Sequence, residues 1–187
     1  MKIDHPLETP RFDLVSLDAS FASERYRGWL SDANVNRYLE TRFVSLSSGA
    51  LVAYVNQMLE STDSYLFAIV VRESSIHIGN IKIGPINRAH ASAAIGLVIG
   101  ESEWWGKGVA TEVIAELSDW GFGDLELAKI TAGSYASNRG SIKAFLSCGF
   151  EQEGLQRSQA ALGTGVRDDV VLLGKVNPAK AKGRVGA

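Results

Sequence analysis

The stretch Glu103–Glu112, which reads EWWGKGVATE, places two glycines directly before a segment of helical periodicity. Apolar residues recur at helical spacing across Val109–Trp120, so a helix is predicted to begin just after Gly108. The apolar segment Ala93–Ile99 precedes the glycines and predicts a buried strand. A strand, a glycine turn and a helix start together expose unpaired N–H groups at the positive end of a helix dipole, which favours binding of a diphosphate.

The spacing of these glycines differs from that of two nucleotide-binding motifs. A P-loop needs four residues between its first glycine and a Gly-Lys pair, which Ser or Thr must follow. Five residues separate Gly100 from Gly106 here, and Gly108 follows Lys107, so this motif is excluded. A dinucleotide-binding turn needs G-x-G-x-x-G after a strand of a parallel unit. The chain has Thr111 at the third position, after strands that read as a hairpin, so a dinucleotide site is the weaker alternative.

The rest of the chain predicts one mixed α/β domain over residues 1–176, with a disordered tail at 177–187. No internal repeat or linker divides the sequence. Helices are expected between residues 18 and 59, after the glycine turn, and from Asn138 to Leu146, where Gly149 would end the last one. Strands are expected at 11–17, 65–71, 76–83, 93–99, 129–135, 151–157 and 169–176.

Composition excludes several classes of protein. The net charge is −2 and the sequence pI is about 5.9, so no overall positive field favours nucleic acid or membrane phosphate as a partner. Cys148 is the single cysteine, which rules out an internal disulfide and a cysteine-based metal site. The N-terminus lacks the apolar core of a signal peptide, and no apolar run has the length of a membrane span. We expect a cytoplasmic protein without a metal.

Several motifs, in the correct order, together resemble one enzyme family. Glu103–Glu112 resembles motif A of the GNAT N-acetyltransferases and is closest to the branch that includes RimJ/RimL-type enzymes. Asn138–Ser141, followed by Cys148–Gly154 (CGFEQEG), resembles the family's N-x-x-S and G-F-x-x-E-G motifs. Thr9–Phe12 (TPRF) and Trp29–Leu39 resemble its N-terminal half. The resemblance covers residues 9–176 and implies an acetyl-CoA-dependent N-acetyltransferase of α/β (α+β) class.

The resemblance also implies where acetyl-CoA binds. The predicted fourth and fifth strands, 93–99 and 129–135, would splay apart in a mostly antiparallel sheet. The pantetheine arm would bond to the backbone of the fourth strand, the pyrophosphate would lie on the glycine turn, and Asn138 would bond the arm beside the thioester. The residues expected to bind the cofactor are Val98, Ile99, Gly100, Trp105, Gly106, Lys107, Gly108, Val109, Ala110, Thr111, Asn138 and Lys143.

The catalytic groups of the better-known branch are missing from this chain. Many family members carry a tyrosine where Phe145 stands, and a glutamate near the start of the fourth strand, where this chain has alanines. The resemblance suggests the hydroxyl of Ser141 as proton donor to the departing thiolate. Glu101 or Glu103, just before the turn, would take the proton of the amine, although both also fit a solvated loop.

The acceptor is expected to be a primary amine, either a protein N-terminus or a small molecule. The segment Asn80–Asn87 (NIKIGPIN) also resembles amino-sugar N-acetyltransferases of the same fold, which is the main alternative. A non-catalytic acyl-CoA sensor is a further alternative, and either a monomer or a homodimer is expected. The residues expected to contact the acceptor are Trp29, Tyr38, Asn87 and His90.

Overall fold

A computed structural model describes residues 1–44 and 47–180, which form one eight-stranded sheet with helices on both faces. The α-helices are α1 (Glu24–Ser31), α2 (Ala33–Asn36), α3 (Ser48–Glu60), α4 (Val109–Gly123) and α5 (Arg139–Ser147). The strands are β1 (Leu7–Glu8), β2 (Phe12–Ser16), β3 (Tyr65–Val71), β4 (His77–Ile83), β5 (Ser92–Ile99), β6 (Lys129–Tyr135), β7 (Glu151–Gly163) and β8 (Val166–Val176). Their spatial order is β1-β2-β3-β4-β5-β6-β8-β7.

The predicted α/β class and most of the predicted strands are confirmed. The two-residue strand β1 was not predicted, because two residues carry no readable alternation. Strands β7 and β8 are longer than the expected 151–157 and 169–176. The reason is that β7 is mostly exposed and its register shifts at several points, which hides the period-two pattern.

Alternation along the central strands sends apolar side chains to both faces of the sheet. On β3, Phe67 packs in the core cluster that contains residues of α4 and α5, whereas Ala68 packs in the cluster that contains residues of α1 and α3. Val113 of α4 and Val55 of α3 are fully buried in these two clusters. The sheet is therefore a shared central layer between two groups of helices.

The sheet opens between β5 and β6, as expected for the predicted fourth and fifth strands. These strands are parallel and pair only where Ser92–Ala94 faces Lys129–Thr131. Beyond those three pairs the strands separate, while all other neighbouring strands are antiparallel. The carboxyl-terminal halves of β5 and β6 therefore present unpaired backbone to a gap that opens on both faces of the sheet.

The first residues of the predicted tail, 177–180, are among the described residues. Asn177 is buried, and its side-chain nitrogen donates to the carbonyl oxygens of Leu127 at 2.9 Å and Phe122 at 3.3 Å. A 3-10 turn follows at Pro178–Lys180. Asn177 and Lys180, at the start of the predicted tail, therefore bond the α4–β6 region, and the predicted disorder of the tail stays a prediction. Residues 181–187 of the predicted tail lie outside the described residues.

Candidate active site

The glycine turn before α4 presents a row of backbone donors. Gly106 and Gly108 have φ of +71° and +78°, a left-handed conformation that side chains other than glycine rarely adopt. Among the described residues, no acceptor pairs with the N–H groups from Gly106 to Thr111. A Cβ on Gly106 would meet nothing within 4 Å, so conformation rather than space requires this glycine.

Glu112 fixes this turn to the start of the sheet. Its Oε1 accepts from the Thr9 hydroxyl at 2.6 Å and from the Arg11 N–H at 2.9 Å, and its Oε2 pairs with Arg11 Nε at 2.7 Å. Arg11 Nη2 also donates to the Lys107 carbonyl at 3.1 Å, inside the turn. Burial opposes ionisation of Glu112, yet the bonds from Thr9 and Arg11 outweigh it and lower the pKa of the carboxyl. The Thr9–Phe12 segment and the motif A segment therefore contact each other directly.

The two tryptophans of the turn have structural contacts. Trp105 Nε1 donates to the Ile99 carbonyl at 2.8 Å, and the ring of Trp104 meets that of Phe12 edge-on at 5.6 Å between centroids. Together with the Glu112 contacts, these bonds hold the turn against the end of β5.

A cleft of about 1430 Å³ occupies the gap between β5 and β6. On one side it is bordered by the glycine turn and the start of α5. On the other side it is bordered by the segment 37–43 and by the β7–β8 pair. Its lining includes Tyr38, Glu40, Leu97, Ile99, Gly106, Gly108, Thr111, Ser134, Tyr135, Asn138, Ser141, Lys143, Ala161 and Arg167. The cleft therefore joins a surface suited to a diphosphate with a separate polar and aromatic surface.

Alternation along β5 decides which backbone groups face the cleft. The Gly100 N–H donates to Ile78 at 2.8 Å, and Val98 faces Asn80 of β4. The backbone groups that bond to a neighbouring antiparallel strand alternate from residue to residue. Those of Val98 and Gly100 therefore face β4, whereas those of Leu97 and Ile99 point toward the gap. The expectation that Val98 and Gly100 bond a ligand through their backbone is therefore wrong, and Leu97 was missed.

The start of α5 brings Asn138, Ser141 and Lys143 to the cleft, as expected. Asn138 Oδ1 caps the helix by accepting from the Ser141 N–H at 3.3 Å, which leaves the Asn138 side-chain N–H groups for another partner. Phe145 is buried against Phe150 at 4.9 Å between ring centroids. Phe145 also borders the cleft, where it presents an apolar ring and no hydroxyl.

The two acidic residues before the turn do not line the cleft. Glu101 Oε1 accepts from Arg25 Nη1 at 2.7 Å and from Trp29 Nε1 at 3.1 Å, so its carboxylate joins α1 to the end of β5. Glu103 is exposed outside the cleft. Neither is placed to take a proton from an acceptor in the cleft, which corrects the expectation for both.

Of the four residues expected at the acceptor, Tyr38 lines the cleft and three do not. Trp29 is buried, and a Cβ on Gly100 would lie 1.9 Å from its ring, so it packs where only glycine leaves room. Asn87 bridges to Ser92, and its side chain accepts from the His90 N–H at 3.1 Å. This turn lies at the amino-terminal end of β5, opposite the gap, so the predicted contact with an acceptor is wrong.

The sequence-based prediction missed a hydrogen-bonded group on the other side of the cleft. The Tyr135 hydroxyl donates to Glu40 Oε1 at 2.5 Å, and Arg42 Nη2 donates to the Tyr135 oxygen at 3.1 Å. Burial, and then the bond to Glu40, raise the pKa of Tyr135. Glu40 follows the NVNRYL segment by one residue, and Tyr135 ends a strand beside the gap. The position of Tyr135 at the end of a predicted strand is a signal that the sequence offers. Nothing in the sequence indicates that Glu40 contacts it.

Comparison with known proteins gives the family. Residues 11–151 match the model of the acetyltransferase (GNAT) domain. An uncharacterized N-acetyltransferase, p20, from Bacillus licheniformis is 32% identical over 153 residues, which are 81% of this chain and 85% of that protein. The chain belongs to the GNAT acetyltransferase family and is an N-acetyltransferase.

Solved structures confirm the fold. A GNAT-family acetyltransferase from Bacillus anthracis superposes with a TM-score of 0.79 at 19% identity, covering 92% of this chain and 98% of that one. The spermidine N-acetyltransferase from Vibrio cholerae, solved with CoA and spermine, gives 0.78 at 23% identity, covering 89% and 95%. Within the described ranges, every helix is too short or too polar to cross a bilayer. The cytoplasmic location stays a prediction.

Replacing Glu112 by Gln tests the joint between the sheet and the glycine turn. At pH 7 we expect the free energy of unfolding to fall by about 1.5–3 kcal/mol, the range for hydrogen bonds to charged groups. The folded pKa of Glu112 is lowered, so its contribution is complete above about pH 4.3, the unfolded value, and is lost as pH falls through the folded value. Urea unfolding at pH 7 and pH 3 measures this. An undiminished difference at pH 3 contradicts it, and exposed Glu151→Gln is the control.

Proposed function

We propose that this enzyme transfers the acetyl group of acetyl-CoA to a primary amine by direct attack of the amine on the thioester. The observation that carries the proposal is the position of the glycine turn. Its unpaired N–H groups border the same cleft as the separated strands β5 and β6. One surface thus suits a diphosphate while the gap suits a narrow chain with amide groups.

The residues around the gap fit such a donor. The N–H groups from Gly106 to Thr111, at the positive end of the α4 dipole, would hold the pyrophosphate. The pantetheine amides would bond to the backbone of Leu97 and to the N–H of Ile99, whose carbonyl is held by Trp105, with the Asn138 side-chain N–H groups facing the arm. Lys143 would contact a phosphate from the surface of α5. Acetyl-CoA supplies an activated acyl group, and the chain supplies its binding and orientation.

Direct attack needs aligned reactants more than it needs a strong acid. Holding the two reactants in line contributes as much as about 7–11 kcal/mol toward the barrier. Once attack has occurred, the C–S bond breaks and the sulfur needs a proton. We propose that the Ser141 hydroxyl, which borders the cleft one helical turn after Asn138, donates it. Phe145 supplies no hydroxyl for this step.

The identity of the acceptor amine is proposed from resemblances to other enzymes. The Glu103–Glu112 turn resembles that of the RimJ/RimL-type branch, and this resemblance supports a protein N-terminal amine as the acceptor. The Vibrio cholerae neighbour, named a spermidine N-acetyltransferase, supports a small-molecule amine. The segment that resembles amino-sugar enzymes includes Asn87, whose turn lies away from the cleft. We therefore rank an amino sugar third.

The experiment that tests the function measures thiol release from acetyl-CoA with a panel of amines. Spermidine, a peptide with a free N-terminal serine, and glucosamine serve as acceptors, and mass spectrometry of each acceptor identifies the N-acetyl product. We expect acetyl transfer to at least one of them. Saturable CoA binding without transfer to any amine would support the non-catalytic sensor. Absence of CoA binding would overturn the placement of the donor as well.

Replacing Gly108 by Val tests the pyrophosphate site. Gly108 has φ of +78°, and a β-branched residue there is strained and covers the N–H surface. We expect the Kd for CoA to rise at least ~10-fold, which corresponds to a loss of ~1.4 kcal/mol. Isothermal titration calorimetry measures it. Gly123→Ala, at the far end of α4 with open space around its Cβ, is the control, and equal affinity in Gly108→Val refutes the site.

Replacing Ser141 by Ala tests the proton donor. We expect kcat to fall by ~10²-fold or more, the lower range for acid–base catalysis, while the Kd for acetyl-CoA changes little. Steady-state kinetics and calorimetry separate the two effects. Ser118→Ala removes a hydroxyl that is bonded to Ile114 within α4, so its kcat should match the wild type. Equal kcat in Ser141→Ala would remove the proposed role.

A further inference from the structure

The cleft has a second polar surface, which the proposed placement of CoA leaves free. It is formed by the segment 37–43 before α3, by the end of β6 and by the β7–β8 pair. Glu40 and Tyr135 meet there, on the side of the gap away from the glycine turn. An amine that attacks a thioester held in the gap must approach from this side, because α4 and α5 border the other.

Glu40 is held in a defined position at this surface. Its Oε1 accepts from the Tyr135 hydroxyl, and the ring of Tyr135 lies 5.7 Å from that of Tyr38. Tyr135 ends β6, where it pairs with Val170 of β8, so its hydroxyl is carried by the sheet. In the described part of the chain, no donor bonds to the second carboxylate oxygen, Oε2, of Glu40. A fixed carboxylate with one available oxygen suits an ammonium group.

Arg42 holds the elements of this surface together next to Glu40. Its guanidinium donates to the carbonyl oxygens of Leu39 and Ala161 and to the Tyr135 oxygen, so it ties the segment 37–43 to both β6 and β7. Those bonds use acceptors other than Glu40, and no ion pair between Arg42 and Glu40 occurs in the described residues. The bonds of Arg42 therefore leave Glu40 Oε2 without a donor among the described residues.

We propose that Glu40 binds the acceptor as an ammonium ion and takes its proton, with Tyr135 as the positioning residue. This proposal rests on the proposed function and supplies the base that Glu101 and Glu103 are not placed to provide. The acceptor class is a primary amine that arrives protonated and is recognised by the carboxylate Oε2 of Glu40, whereas the rings of Tyr38 and Tyr135 already carry the guanidinium groups of Arg37 and Arg42.

The proton balance of the step is complete. One proton moves from the ammonium nitrogen to Glu40 Oε2, and the freed lone pair attacks the thioester carbonyl carbon. The C–N bond forms and the C–S bond breaks. A second proton leaves the nitrogen of the adduct for water, Ser141 donates its proton to the thiolate, and water reprotonates Ser141. Glu40 returns the first proton to water. The products are an N-acetylated amine, CoA and one released proton.

The test compares Glu40→Gln with the wild type, using spermidine, the seryl peptide and glucosamine as probes. We expect kcat/KM to fall by ~10²–10⁴-fold, the range for general-base catalysis, and calorimetry on CoA-loaded enzyme to show weakened amine binding. Glu40→Asp should recover part of the rate, because it keeps the carboxylate. Tyr135→Phe should lower kcat/KM by less than Glu40→Gln.

The controls separate this proposal from loss of the fold or of the donor site. The Kd for CoA should be unchanged in Glu40→Gln, and exposed Glu151→Gln, near the amino-terminal end of β6, should match the wild type throughout. Wild-type rates in Glu40→Gln would overturn the proposal while leaving the acetyltransferase function intact. An equal loss of CoA affinity would assign Glu40 a structural role and overturn it too, as would failure of the CoA-loaded wild type to bind any probe amine.

Discussion

The carboxylate of Glu112 is the contact on which the donor side of the cleft depends. A glycine turn has no side chains with which to hold itself, so its shape must be imposed from neighbouring elements. Glu112, one helical turn into α4, binds Thr9 and Arg11 at the edge of the sheet, and Arg11 in turn binds the Lys107 carbonyl. The N–H groups of the turn are thereby aimed by a contact between residues about a hundred positions apart.

The gap between β5 and β6 follows from a change in strand direction. Every other neighbouring pair of described strands is antiparallel, and the parallel pair is held by only three residues on each strand. Beyond it, the backbone groups of Leu97 and the N–H of Ile99 have no strand partner and would be costly to bury without one, whereas the Ile99 carbonyl already accepts from Trp105 Nε1. A ligand with amide groups meets that need, which explains why the opening of the sheet and the glycine turn occur in the same place.

The two sides of the cleft are built differently. The donor side relies on backbone groups, which any sequence with the correct glycines presents. The acceptor side relies on side chains from distant segments, where Glu40, Tyr135 and Arg42 meet through hydrogen bonds. Family members can thus keep the donor surface while changing the acceptor surface, and the identity of the amine is the property that depends most on this one chain.

The sequence alone determined the α/β class, most of the strands, the glycine turn and the family, because these depend on local spacing and backbone conformation. Asn138, Ser141 and Tyr38, which the sequence assigned to the site, line the cleft, and their roles stay predictions. Only the tertiary structure decided which carboxylate lines the cleft. Glu101 and Glu103 are close to the turn in sequence but are directed away from the cleft, whereas Glu40 is brought there by a contact with Tyr135 that spans 95 residues. Proximity along the chain does not specify side-chain direction, which pairing and packing across the sheet decide.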